Sequence, residues 1–141
     1  MKPDALLGYN PNLISVAEAK QLGYVIPANY KESTVPRIDF SKIDQTLKIC
    51  AENGLKYRAH TLVWHSQTPN WFFRADFNGE HDLVNTEVMD ARMEFYIRTV
   101  MGHIYDSKYG DIVYSWDVVN EYWNASSDNW LAVYGGKTTS P

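Results

Sequence analysis

The chain has one cysteine, Cys50, among 141 residues, so no disulfide can close within it. Cys50 falls on the apolar stripe of a probable helix, where a free thiol reads as a small buried hydrophobe. No apolar run approaches the roughly 20 residues needed to span a bilayer. Met1 is followed by Lys2, Pro3 and Asp4 rather than an apolar segment, so no signal peptide is visible. Positive charge is not in excess: 13 Lys and Arg face 17 Asp and Glu, a net charge of -4. That gives no electrostatic footing for nucleic acid. No segment is of low complexity. What the chain has in quantity is aromatic side chains, with 5 Trp, 10 Tyr and 5 Phe. Most belong in a core. Those beside polar residues at strand ends suit sugar, whose rings offer apolar C–H faces and polar edges.

Residues 1–36 show little periodicity and are punctuated by Gly8, Pro11, Gly23, Pro27 and Pro36. They read as loop with one helical turn near 15–21, either functional or packed by parts outside the chain. Residues 41–53 carry Ile43, Leu47, Cys50 and Ala51 at helical spacing, and Gly54 stands where a helix stops. Residues 55–64 read as a strand and 67–80 as a loop. Residues 86–105 form a second helix with Met89, Met93, Tyr96, Ile97, Val100 and Ile104 on one face. Residues 112–119, nearly all apolar or aromatic, predict a strand buried on both faces. Alternation of helix and strand implies parallel strands joined by crossover helices.

Two segments rich in chemistry follow these strands, where parallel α/β folds place their sites. Residues 60–67 read HTLVWHSQ and residues 116–121 read WDVVNE. Glu121 follows an apolar strand and is flanked by Asn120, Tyr122 and Trp123. Desolvation by aromatic surface favours the protonated carboxyl, which suits a general acid. The alternative is a loop carboxylate capping the next element. Asn120 can both donate to and accept from hydroxyls. His60 is either a partner for a sugar hydroxyl or a satisfied core histidine. His60 and His65, five apart, tend to opposite faces of a strand. No carboxylate stands at zinc-ligand spacing and no HExxH is present, so no metal and no cofactor is expected.

The two motifs, in this order and about fifty residues apart, together with Met1-Lys2, resemble glycoside hydrolase family 10, the endo-β-1,4-xylanases. The resemblance implies that the chain is a fragment of a (β/α)8 TIM barrel, with about two to three βα units. It implies a retaining mechanism on xylan or xylo-oligosaccharide, with Glu121 as general acid/base. Asn120 would bond the sugar 2-hydroxyl, and His60, Trp64 and Gln67 would line the subsite of the transferred sugar. Lys2 would contact the sugar on the nonreducing side, and Trp71 would be structural. An extracellular location follows from the family alone.

The family's nucleophile is a glutamate at the end of a late barrel strand, and only twenty residues follow Glu121 here. Glu52, Glu87 and Glu94 fall on expected helices, and Glu18, Glu32 and Glu80 in loops without a matching motif. The nucleophile is therefore expected outside the chain, and the isolated chain is expected to be inactive. A complete barrel takes about 250 residues, so residues 1–136 read as a partial catalytic domain and 137–141 as a linker or cut end. Asn124, Ala125 and Ser126 form a sequon by pattern only. A glucan-acting barrel glycosidase and a non-catalytic sugar-binding protein are the competing readings.

Overall fold

A computed structural model describes residues 1–121. The aromatic flanks Tyr122 and Trp123, the sequon at 124–126 and the boundary at 136 lie outside the described residues. The element order is α1 (Pro3–Leu7), β1 (Leu13–Ser15), α2 (Val16–Gln21), β2 (Thr34–Pro36), α3 (Ser41–Glu52), β3 (Tyr57–Trp64), α4 (Thr86–Asp106) and β4 (Val113–Asn120).

The strands β3 and β4 pair in parallel, with Tyr57 opposite Val113 and Trp64 opposite Asn120. The helix α4 joins them, a βαβ unit as the alternation predicts. The register shifts between His60 and Val63, and the His60–Thr61 peptide is cis. Local chemistry sets the boundaries. The Asn85 side chain accepts a hydrogen bond from the Val88 N–H at 3.0 Å and caps α4. Ser15 does the same for α2 through the Glu18 N–H at 3.1 Å. After α3, Gly54 has φ +68°. The Leu55 N–H then reaches back to the Cys50 carbonyl at 2.8 Å, the six-to-one closure that left-handed glycine permits. Cys50 is only half-buried, so the full burial expected of it is corrected. Its helix packs through Ile43 and Leu47 instead.

Residues 1–36 depart from the loop expectation. The expected helical turn near 15–21 is there as α2, but the segment also holds α1 and an antiparallel ribbon in which Ile14 pairs with Val35. Three-residue strands carry too few positions to show a period, which is why they escape pattern reading. This segment is packed by the chain itself. The Val25 N–H donates to Thr99 Oγ1 at 3.1 Å, and the Tyr24 hydroxyl bonds both the Ile38 carbonyl and its N–H.

That cover changes α4. Its buried residues are Met89, Ala91, Arg92, Phe95, Tyr96, Thr99, Val100 and Ile104, whereas Met93 and Ile97 are only half-buried. The helix is enclosed on two sides, by the sheet and by residues 24–32, so its buried arc is wider than one stripe and includes polar members. Arg92 is completely buried. Its Nε donates to Glu32 Oε2 at 2.7 Å, and its Nη1 donates to the carbonyls of Phe72 at 2.6 Å and Arg74 at 2.9 Å. Its guanidinium lies 3.7 Å from the centroid of the Phe77 ring. One side chain thus ties α4, the N-terminal segment and the loop after β3.

The expectation for β4 is also corrected. Tyr114, Val118 and Val119 are about half exposed or more. Among the described residues only β3 pairs with this strand, so one edge and part of one face have no cover from them.

Candidate active site

The last rung of the β3–β4 ladder joins Trp64 to Asn120. The next residue, Glu121, leaves the extended conformation for φ +51°. A left-handed backbone is uncommon for a glutamate and costs on the order of 1 kcal/mol or more. The turn brings the carboxylate over the neighbouring strand, where the Trp64 indole N–H donates to Glu121 Oε2 at 2.8 Å. The N–H is a fixed donor on a rigid ring, so it sets where that oxygen stands.

The same indole organises other groups. The Lys2 ammonium sits 5.8 Å from the Trp64 ring centroid, a cation over an aromatic face. The His60 ring meets Trp64 edge-on, with centroids 6.1 Å apart. Two residues along β3 point to one face, which places His60 and Arg58 together opposite Asp117. His60 Nδ1 lies 3.0 Å from Asp117 Oδ2. Arg58 Nε donates to Asp117 Oδ1 at 3.0 Å, and a second guanidinium nitrogen reaches the same oxygen. The Arg58 guanidinium, followed by the His60 ring, holds the Asp117 carboxyl below the usual carboxylate range. The Thr61 hydroxyl closes the network on the Asp117 carbonyl at 2.9 Å. His60 is therefore a partnered histidine at half-exposure, neither core nor free.

Gln67 stands in the turn after β3. The Thr68 N–H and hydroxyl both return to the Trp64 carbonyl, at 3.1 and 2.6 Å, and fold this turn over the strand end. Gln67 Oε1 is buried without a hydrogen-bond partner among the described residues, a condition that costs about 1–3 kcal/mol when nothing fills it. Asn120 lines an apolar pocket with Pro3, Leu62, Trp64 and Tyr96. The structure thus gathers Lys2, His60, Trp64, Asn120 and Glu121 at one end of the sheet, with Gln67 in the adjoining turn. Trp71 is buried and bonds the Tyr9 carbonyl at 3.0 Å. Arg58 and Asp117 were not singled out in the sequence. Their signal was the two-residue spacing of Arg58 and His60 on a strand. No three His, Cys, Asp or Glu side chains cluster to hold a metal ion among the described residues.

Carboxylate, indole, imidazole and ammonium groups thus lie together by the carboxyl ends of two parallel strands, where α/β folds place their sites. The chain belongs to glycosyl hydrolase family 10, whose model matches residues 5–138. It is 58% identical over 141 residues to endo-1,4-beta-xylanase A of Butyrivibrio fibrisolvens, covering 99% of this chain and 34% of that protein. It is 39% identical over 105 residues to a putative endo-1,4-beta-xylanase of Caldicellulosiruptor saccharolyticus, covering 70% of this chain and 33% of that one. Among solved structures it resembles the CBM22-1–GH10 modules of Clostridium thermocellum endo-1,4-beta-D-xylanase 10B in complex with xylohexaose. There the TM-score is 0.67 at 29% identity, over 98% of this chain and 27% of that one. The fold is accordingly part of a (β/α)8 barrel, and the chain spans about a third of the length of these two xylanase relatives.

Proposed function

We propose that the protein carrying this chain is a retaining endo-β-1,4-xylanase in which Glu121 is the general acid/base. The observation that carries the reading is the Trp64–Glu121 hydrogen bond at the shared carboxyl end of β3 and β4. It fixes one carboxylate oxygen and leaves the other to protonate a glycosidic oxygen. Asn120 holds the sugar 2-hydroxyl, and His60, Trp64 and Gln67 line the subsite of the transferred sugar. Lys2, over the outer face of Trp64, contacts the sugar on the nonreducing side.

Retention requires a second carboxyl about 5–5.5 Å from the first. Glu18, Glu32, Glu52, Glu87 and Glu94 are each engaged with a cation elsewhere, namely Arg37, Arg92, Lys48, Lys31 and Arg98, and Glu80 is exposed in the loop between β3 and α4. This supports a nucleophile contributed from outside the chain, by the remainder of a domain in which 1–136 is one part and 137–141 is a linker or a cut end. The isolated chain is then inactive. Xylan is the substrate in an extracellular setting, and neither metal nor cofactor takes part.

The test is Glu121→Ala in the protein carrying this chain. Activity on xylan falls by 100-fold or more, as expected for loss of an acid catalyst worth roughly 10²–10⁴. An aryl xylobioside with a good leaving group loses much less in the glycosylation step, because departure there needs little protonation. Equal loss on both substrates in that step would remove Glu121 from the acid role.

A further inference from the structure

Arg58 is not among the groups placed against a sugar, yet it is built into the site. It precedes His60 by two residues on β3, so the two side chains share a face. The parallel register sets His60 opposite Asp117, and the Asp117 carboxylate is divided between them. Arg58 takes Oδ1, through Nε at 3.0 Å and through Nη2. Oδ2 is left to the His60 ring, with Nδ1 at 3.0 Å. An arginine more than half exposed contributes little stability through a surface pair. Here its two donors converge on one oxygen of a carboxylate whose other oxygen is engaged, so what the pair fixes is the plane of that carboxylate.

The division sets what His60 can do. Asp117 is held ionised, foremost by Arg58, and an ionised carboxylate only accepts. The hydrogen between the two side chains therefore sits on Nδ1. In the neutral ring the second nitrogen, Nε2, then carries a lone pair and accepts from a hydroxyl. Protonation would turn Nε2 into a donor and remove that acceptor. A carboxylate beside a histidine favours the protonated ring, and a guanidinium on the same carboxylate opposes it. Among the described residues the charged groups tied to the ring are Asp117 directly, Arg58 through it, and Lys2 and Glu121 through the Trp64 indole, which meets the ring edge-on. Lys2 and Glu121 are of opposite sign, so Arg58 is the group that offsets Asp117.

Resting on the proposed xylanase reading, we propose that Arg58 is a positioning residue acting through Asp117: it offsets the Asp117 charge at His60, so that the neutral ring presents Nε2 to a sugar hydroxyl as an acceptor. The cation matters most on the acidic side of the working range, where an unbalanced Asp117 would charge the ring.

The experiment is the pH profile of kcat/KM on xylan in the protein carrying this chain. Its limbs report groups of the free enzyme that must hold one protonation state. Arg58→Gln removes the cation and keeps a polar side chain, a change the fold tolerates at an exposed position. Its acid limb moves to higher pH by about half to one unit, the effect of a nearby but exposed charge. Activity on that limb falls about threefold to tenfold, and the plateau changes less. Arg58→Lys restores the cation without the fork and returns the limb to its original position. In an Asp117→Asn background Arg58→Gln leaves the limb where it stands, since the charge it balanced is gone. An unmoved limb in Arg58→Gln, or the same displacement in Arg58→Lys, overturns the role of Arg58 while leaving Glu121 as the acid. Failure of the unsubstituted protein to hydrolyse xylan overturns the underlying reading, and the role of Arg58 with it.

Discussion

The Arg92–Glu32 pair offers a test whose sign is set by burial. Arg92 is completely buried, whereas the Glu32 side chain keeps 24% of its exposure. Removing one partner of a buried pair costs about 3–5 kcal/mol, because the other is left uncompensated. Glu32→Leu strands a cation with no route to water and lands in that range. Arg92→Leu leaves a carboxylate that can hydrate, yet it orphans the Phe72 and Arg74 carbonyls, at about 1–3 kcal/mol each when buried. Its cost is similar for a different reason. The double variant removes both charges, so its loss falls short of the sum by about 2 kcal/mol or more. Domain stability is about 5–15 kcal/mol, so each single change takes a large share of it. Urea unfolding of the protein carrying this chain, read at the midpoint, gives all four values. Additive losses would refute the coupling, and a single-variant loss below about 1 kcal/mol would refute the burial argument.

Two further outcomes follow from the geometry. Asp117 is held below its ordinary value by Arg58 and His60, so the stability it contributes is present above the unfolded carboxylate value of about 4 and fades as pH falls through the lowered one. Asp117→Asn therefore flattens the acid limb of a stability-versus-pH curve, and an unchanged limb would contradict that coupling. At Gly110 an added Cβ would lie 2.6 Å from the Ile104 carbonyl and 2.9 Å from that of Tyr105. Since both are backbone atoms, Gly110→Ala destabilises by about 1–3 kcal/mol in the same unfolding assay, and a neutral result would show that the turn after α4 can shift.

The βαβ unit was legible because α3, β3, α4 and β4 are long enough to carry a period, and the stop of α3 was written beside it at Gly54. The ends of β3 and β4 were legible as motifs, and the structure brings Trp64 and Glu121 together there. What could not be read depends on contacts between distant residues. Glu32 looked like an unmatched loop carboxylate because its partner is sixty positions away. The burial of Arg92 and Thr99 on α4 was not legible because nothing local announces that residues 24–32 cover them. Asp117 sat inside a recognised motif without a role until the parallel register set it against His60.

The cover over α4 also sets a timetable for synthesis. Val25 bonds Thr99 across 74 residues and Glu32 bonds Arg92 across 60. At roughly 5–20 residues per second, residues 24–32 leave the ribosome about 3–15 seconds before their partners. During that interval Tyr24, Val25 and Tyr30 have no helix to pack on. The early part of this chain therefore stays without its packing partner until α4 has been made, and faster or slower translation between codons 32 and 99 changes how long it waits.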